Sequence, residues 1–295
     1  MLRFLPPLLR GVIASLLLVV NTLLWAVVLF ALALLKAVVP IKAIQVLCNK
    51  GLDGIASAWI NNNSNILSLC SPMQLKATGF EDVSLDRSYL VTSNHQSWAD
   101  IVVVQTLLNK RAPQLKFFLK KELIWVPVLG LCWWALDFPF MQRHTKEYLK
   151  KHPEKKGQDL ETTRKACEKF KDRPVCIYNY LEGTRFSEEK HRRQRSPYRH
   201  LLKPKSGGVG FVVGAMGHNM PYLLNITIKY EGKVPDFWDF LCGRCPSATV
   251  HMETIEIPKH FVGKSYMEDR GYRAEIQGWV NGIWEEKDQM LEKMN

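Results

Sequence analysis

Apolar residues run without a single charge from position 11 to position 35, GVIASLLLVVNTLLWAVVLFALALL. As a helix this stretch measures roughly 37 Å, more than the ~30 Å of a bilayer core. It is too long for a signal-peptide apolar segment and has no small-residue cleavage site after it, so it reads as a retained membrane helix. Asn21 and Thr22 in its middle are tolerable if they face protein. Residues 36–70 are more polar, with an Asn-rich patch at 61–65, and suit a second helix in or along the membrane. From about residue 75 the pattern changes to strands alternating with helices. SYLVTSN (88–94), KFFLK (116–120), FPFMQ (138–142), VCIYNYL (175–181), LLNITIKY (223–230) and ATVHMETIEI (248–257) read as strands. WADIVVVQTLLN, the region 144–151 and GQDLETTRKACEKFKDR read as helices.

In the last of these, Leu160, Cys167 and Phe170 share one face. Acidic residues occupy its first turn and Lys169, Lys171 and Arg173 its last, before Pro174 ends it. Residues 271–292 form an amphipathic helix through Tyr272, Ile276, Trp279, Ile283 and Trp284. LIWVPVLGLCWWALDFPF (123–140) has the hydropathy of a membrane span, but Pro127, Gly130 and Asp137 interrupt it. Its paired tryptophans favour a helix lying at the bilayer surface. Alternation of this kind predicts an α/β layered domain over 71–295 with a largely covered sheet, preceded by a membrane-anchoring region over 1–70.

The net charge of +12 beside an apolar N-terminus fits attraction to anionic lipid. No nucleic-acid recognition motif accompanies it. Seven cysteines without framework spacing argue for a reducing compartment, and the single CxxC, Cys242–Cys245, lacks a second pair for zinc. No metal site is expected. The P-loop and dinucleotide patterns fail in detail: Pro258 stands where GKS (263–265) needs its first glycine, and SGGVGFVVG has the wrong spacing. There is no GxSxG elbow.

Two constellations remain. In TSNHQSWAD, His95 leaves the end of a strand and Asp100 falls in the first turn of the next helix. A loop curling back there brings the carboxylate to the imidazole, which fixes its tautomer and leaves the other ring nitrogen to take a proton. The bland alternative is a core histidine beside a helix-starting aspartate. In YLEGTRF (180–186), Gly183 allows a tight turn, Thr184 and Arg185 offer a hydroxyl and a forked cation suited to phosphate, and Glu182 can orient either. An ordinary loop salt bridge is the alternative. The run KHRRQRSPYRHLLKPK (190–205) holds seven Lys or Arg, as a membrane-attracted or merely solvated loop.

NHQSWAD, FPFMQR and EGTRF, in this order, resemble the 1-acylglycerol-3-phosphate acyltransferase family, with its NHxxxxD, phenylalanine-rich and EGTR blocks. FFLKKELIWVPVLG is similar to its KxxLxxxPxxG region, and FPFMQR with YLEGTRF and LLKPKSGGVGF is closer to the branch with lysocardiolipin-type enzymes and their bacterial relatives. The resemblance covers about residues 75–230. It implies a mixed sheet flanked by helices and acyl transfer from a thioester to the free hydroxyl of a lysophospholipid such as 1-acyl-sn-glycerol-3-phosphate. The co-substrate is acyl-CoA or acyl carrier protein, with no other cofactor. His95 is then the base and Asp100 its partner. Glu182, Gly183, Thr184 and Arg185 hold the acceptor, with Arg143, Lys120 and Lys205 as further contacts. In the fourth block Pro221 comes early and Asn225 stands where the branch often has an acidic residue, which leaves the acceptor's identity open. A non-catalytic lipid-binding protein of the same fold is the alternative, and the expected location is a bacterial inner membrane with the site on its cytoplasmic side.

Overall fold

The computed structural model describes residues 2, 4–141, 168–170, 173–266 and 268–294. Helices α1 (Pro7–Val38) and α2 (Lys42–Cys70) form an antiparallel hairpin. Its seam is polar. Asn21 Nδ2 donates to Asn63 Oδ1 (2.8 Å), and the Trp59 indole N–H donates to Thr22 Oγ1 (3.1 Å). Asn21 and Thr22 therefore face protein, where their side chains are satisfied. The outer side of α1 leaves Leu16, Leu24, Val27, Leu34 and Val38 exposed.

Strands β1 (Gln74–Thr78), β2 (Tyr89–Ser93), β3 (Leu115–Phe117), β6 (Cys176–Tyr178), β7 (Tyr222–Tyr230) and β8 (Ser247–Glu256) make one mixed sheet in the order β1-β8-β7-β2-β6-β3. β7, β2, β6 and β3 are mutually parallel, and β8 runs antiparallel to β7. β4 (Leu119–Lys120) and β5 (Phe140–Met141) pair separately. On β2, alternate residues feed opposite cores. Tyr89 and Val91 pack with α3 (Ala99–Leu108), while Leu90 packs with α6 (Gly207–Met216) and α8 (Arg270–Lys293). Both faces of the central strands are covered, which is why they read as continuous apolar runs.

The segment 123–140 is not one helix. A 3₁₀ turn (Lys121–Trp125) gives way to the short α4 (Leu129–Ala135), with Val128 between them at φ +63°. Pro127 cannot continue a helix through its missing N–H. Gly130 lies so close to Ile124 that a Cβ would meet its carbonyl oxygen at 2.0 Å. α4 packs Cys132 and Ala135 against Ala26, Leu29 and Leu52 of the hairpin and leaves Leu131 and Trp134 outward, as the preceding turn leaves Trp125. KFFLK likewise divides between two sheets. The basic run is ordered too, through α5 (Glu188–Gln194), with Ser187 accepting from the Lys190 N–H as its cap. Helix α7 (Phe237–Leu241) packs on the N-terminal end of α1. Two carboxylates join the hairpin to the α/β layers: Asp53 pairs with Lys116 and Arg173, and Asp137 with Lys36 and Arg173. The helices expected at 144–151 and 157–173 lie almost wholly outside the described residues.

Candidate active site

The parallel strands β2 and β6 end close together beside the longer β7, and His95 and Glu182 follow their carboxyl ends, where open α/β sheets place ligands. Asn94 fixes the first turn. Its side-chain amide donates to the Ile228 carbonyl (2.8 Å), and its carbonyl accepts from the Ile228 N–H (2.9 Å), so β7 holds the chain just before His95. The Phe186 N–H donates to the His95 carbonyl at 2.7 Å, tying this turn to the loop after β6.

His95 Nδ1 lies 2.9 Å from Asp100 Oδ2. The same oxygen accepts the N–H groups of Gln96 (2.7 Å) and Ser97 (2.9 Å), so the loop does curl back onto the first turn of α3. Asp100 Oδ1 accepts from the Tyr230 hydroxyl at 2.7 Å. A carboxylate with only acceptor capacity assigns the Nδ1 proton to His95 and leaves Nε2 as the basic nitrogen. The imidazole stacks on Tyr180, with centroids 3.8 Å apart, and the side chain is 11% exposed. It can reach a reactant while staying largely out of water.

Glu182 faces inward rather than toward solvent. Its Oε1 accepts the His95 N–H (3.0 Å) and its Oε2 the Leu202 N–H (3.1 Å). Burial raises its pKa to about 7 against these two hydrogen bonds and the charge of Lys287. Lys287, from α8, is itself fully buried, donates to the Ile226 carbonyl, and has its pKa lowered by burial to about 7.

The next residues form a cationic rim. Gly183 adopts φ +69°, open to glycine at little cost, and is so placed that a Cβ there would lie 3.1 Å from Lys205 Nζ. Lys190 Nζ donates to Thr184 Oγ1 and to the Arg185 carbonyl, both at 2.8 Å. Arg185 is exposed and its guanidinium lies 5.1 Å from the Trp98 ring centroid, a cation–π distance. His95, Asp100, Glu182, Gly183, Thr184, Arg185 and Lys205 thus gather in one place. Lys120 sits exposed on β4, where it pairs in register with Met141. Arg143 lies outside the described residues. Asn225 is buried inside β7, with its amide 3.5 Å from Glu253 Oε2. Sequence reasoning did not single out Tyr180, Lys190 or Tyr230. Lys190 was present in the basic run, but the two tyrosines gave no signal apart from their strands. Among the described residues, no cluster of three or more His, Cys, Asp or Glu side chains is arranged to hold a metal ion.

The acyltransferase family model matches residues 74–226, just over half of the chain. The mouse 1-acyl-sn-glycerol-3-phosphate acyltransferase gamma is 24% identical over 60% of this chain and 45% of its own length. The mouse epsilon enzyme is 20% identical over 68% of this chain and 56% of its own. The chain therefore spans about half the length of these curated relatives. The crystal structure of the 1-acyl-sn-glycerophosphate acyltransferase PlsC from Thermotoga maritima superposes with a TM-score of 0.51 at 17% identity, covering 95% of this chain and 97% of that one. It shares the fold, including the mixed sheet flanked by helices. With the family's matched segment running from β1 into β7 and holding both constellations, the chain belongs to the acyltransferase family, among the relatives of the 1-acylglycerol-3-phosphate acyltransferases.

Proposed function

We propose that the protein transfers a fatty acyl group from an acyl thioester to the free hydroxyl of a lysophospholipid, with 1-acyl-sn-glycerol-3-phosphate as the acceptor. The observation that carries this reading is the His95–Asp100 pair set beside a cationic rim of Lys190, Lys205 and Arg185. His95 Nε2 takes the proton of the acceptor hydroxyl as that oxygen attacks the thioester carbonyl. The tetrahedral intermediate then expels the thiolate, and the imidazolium returns the proton to sulfur. The products are the ester and a free thiol, of coenzyme A or of acyl carrier protein. A positioned base of this kind contributes about 10² to 10⁴ in rate. Thr184, Arg185 and Lys205 hold the acceptor's phosphate, Gly183 keeps the turn open beside them, and Arg143 and Lys120 serve as outer contacts.

The substrate resides in a bilayer, and α1 is long and apolar enough to cross one. Its exposed leucines and valines, with Trp125, Leu131 and Trp134 at the far end of the hairpin, form the surface that meets lipid. The site faces the compartment that supplies acyl thioesters, the cytoplasmic side of a bacterial inner membrane. The test is product mass spectrometry of the purified full-length chain with labelled acyl-CoA or acyl carrier protein and a panel of lysolipids. Diacyl product should form with lysophosphatidate, and His95→Ala should lose at least about a hundredfold in rate. Full activity in that variant sinks the mechanism.

A further inference from the structure

We propose that Tyr230 is a positioning residue for this reaction, pinning the plane of the Asp100 carboxylate so that His95 presents Nε2 to the acceptor hydroxyl. The inference rests on the acyl-transfer reading and extends it to a residue beyond the segment that matches the family, which ends at 226. Three donors converge on Asp100 Oδ2: the imidazole and two backbone N–H groups. A carboxylate held at one oxygen alone remains free to tilt about that point, and the imidazole would tilt with it. Tyr230, the last residue of β7, closes the arrangement from the opposite side with a 2.7 Å bond to Oδ1.

Its environment makes this a one-way donor. The phenol is 4% exposed, and burial beside the Asp100 charge keeps its pKa well above the ordinary tyrosine value. It therefore stays a phenol and donates to the carboxylate. The strand that carries Tyr230 is also the strand that Asn94 grips through Ile228. β7 therefore sets both the start of the His95 turn and the far oxygen of its partner. Asp100 is placed relative to β7, not merely relative to its own helix. A general base misaligned by a fraction of an ångström loses much of its advantage.

The test uses the full chain in detergent micelles with acyl-CoA and 1-acyl-sn-glycerol-3-phosphate. Tyr230→Phe keeps the ring in the core and removes only the donor. The expected result is a loss of about tenfold in kcat, part of the 10² to 10⁴ a positioned base supplies, with KM for both substrates unchanged. In ¹⁵N-histidine NMR the His95 Nδ1 proton resonance should move. An unchanged kcat, or a change confined to KM, overturns the inference. If Tyr230→Phe does not fold, Tyr230→3-fluorotyrosine preserves the packing and alters donor strength, and kcat should still shift at constant KM. Wild-type protein that is inactive with every lysolipid overturns the acyl-transfer reading instead. The Nδ1 resonance then decides the Tyr230 contact without reference to turnover.

Discussion

Replacing Glu182 with glutamine should cost stability at acidic pH and cost much less, or nothing, at alkaline pH. The carboxylate is buried and accepts two backbone N–H groups, from His95 and Leu202. A glutamine retains one acceptor oxygen and turns its amide toward the other N–H, leaving a buried donor unsatisfied at a cost of about 1 to 3 kcal/mol. Against this stands ionisation. Burial lifts the Glu182 pKa from its ordinary 4.5 to about 7, so folding favours its neutral form. That favourable contribution is complete below pH 4.5 and is lost as the pH rises through about 7. At pH 8 the wild type carries a penalty of about 3 kcal/mol, and at pH 5 about 1. The glutamine carries neither. The stability gap should therefore shrink by about 2 kcal/mol between pH 5 and pH 8. Denaturant unfolding followed by tryptophan fluorescence at the two pH values measures it. A gap that stays constant or widens with pH refutes the reasoning.

Two further outcomes concern the cationic rim. Arg185→Ala should raise the KM of the lysophospholipid by about tenfold while leaving that of the thioester within about twofold, since a charge-assisted bond to phosphate is worth roughly 1.5 to 3 kcal/mol and this site is partly wet. Equal effects on both substrates in steady-state kinetics would remove the phosphate-binding role. Gly183→Ala places a Cβ at φ +69° and 3.1 Å from Lys205 Nζ. It should cost about 1 kcal/mol and raise the acceptor KM, and an unchanged melting temperature together with an unchanged KM would show that the turn tolerates a side chain.

The central sheet was readable because its strands are buried on both faces: YLVTS, CIY and LLNITIKY are apolar enough to stand out unaided. β1 is not, since QLKAT is short, half exposed and pairs only as an edge. α6 was missed for a different reason. GGVGFVVGAM contains four glycines, each unfavourable in a helix, and packing against the sheet outweighs that intrinsic preference. In 123–140 the single surface helix expected from the sequence divides in two, because the residue pattern is blind to the positive φ of Val128 and to the contact of Gly130 with Ile124. At the site, His95 and Asp100 are legible as local neighbours five positions apart. The Glu182 bonds to His95 and Leu202 are not, and neither is the reach of Tyr230 to Asp100. The Glu182–His95 and Tyr230–Asp100 contacts exist through the parallel pairing of β2 with β6 and β7, and Leu202 comes from the segment after α5.

The C-terminal helix changes what the basic run can be. Asp288 of α8 accepts the N–H groups of Arg199 (2.7 Å) and His200 (2.8 Å), and Glu292 pairs with both side chains. His191 lies 2.6 Å from the Tyr198 carbonyl through Nε2. Residues 190–205 are therefore clamped to α8, and the clamp sets the positions from which Lys190 reaches Thr184 and Lys205 lies beside Gly183. With Arg199 engaged by Glu292 and Lys190 by Thr184, the outward cations of the run are Arg192, Arg193, Arg195, Lys203 and Lys205. At about 1 kcal/mol each, an anionic bilayer would exert a pull of about 5 kcal/mol on them rather than the roughly 7 that a free loop would offer. What is lost in attraction is recovered as direction. α5 begins directly after the Gly183–Arg185 loop and is bonded to it through Lys190, so the arginines of the run are fixed to the same segment that carries the rim beside His95.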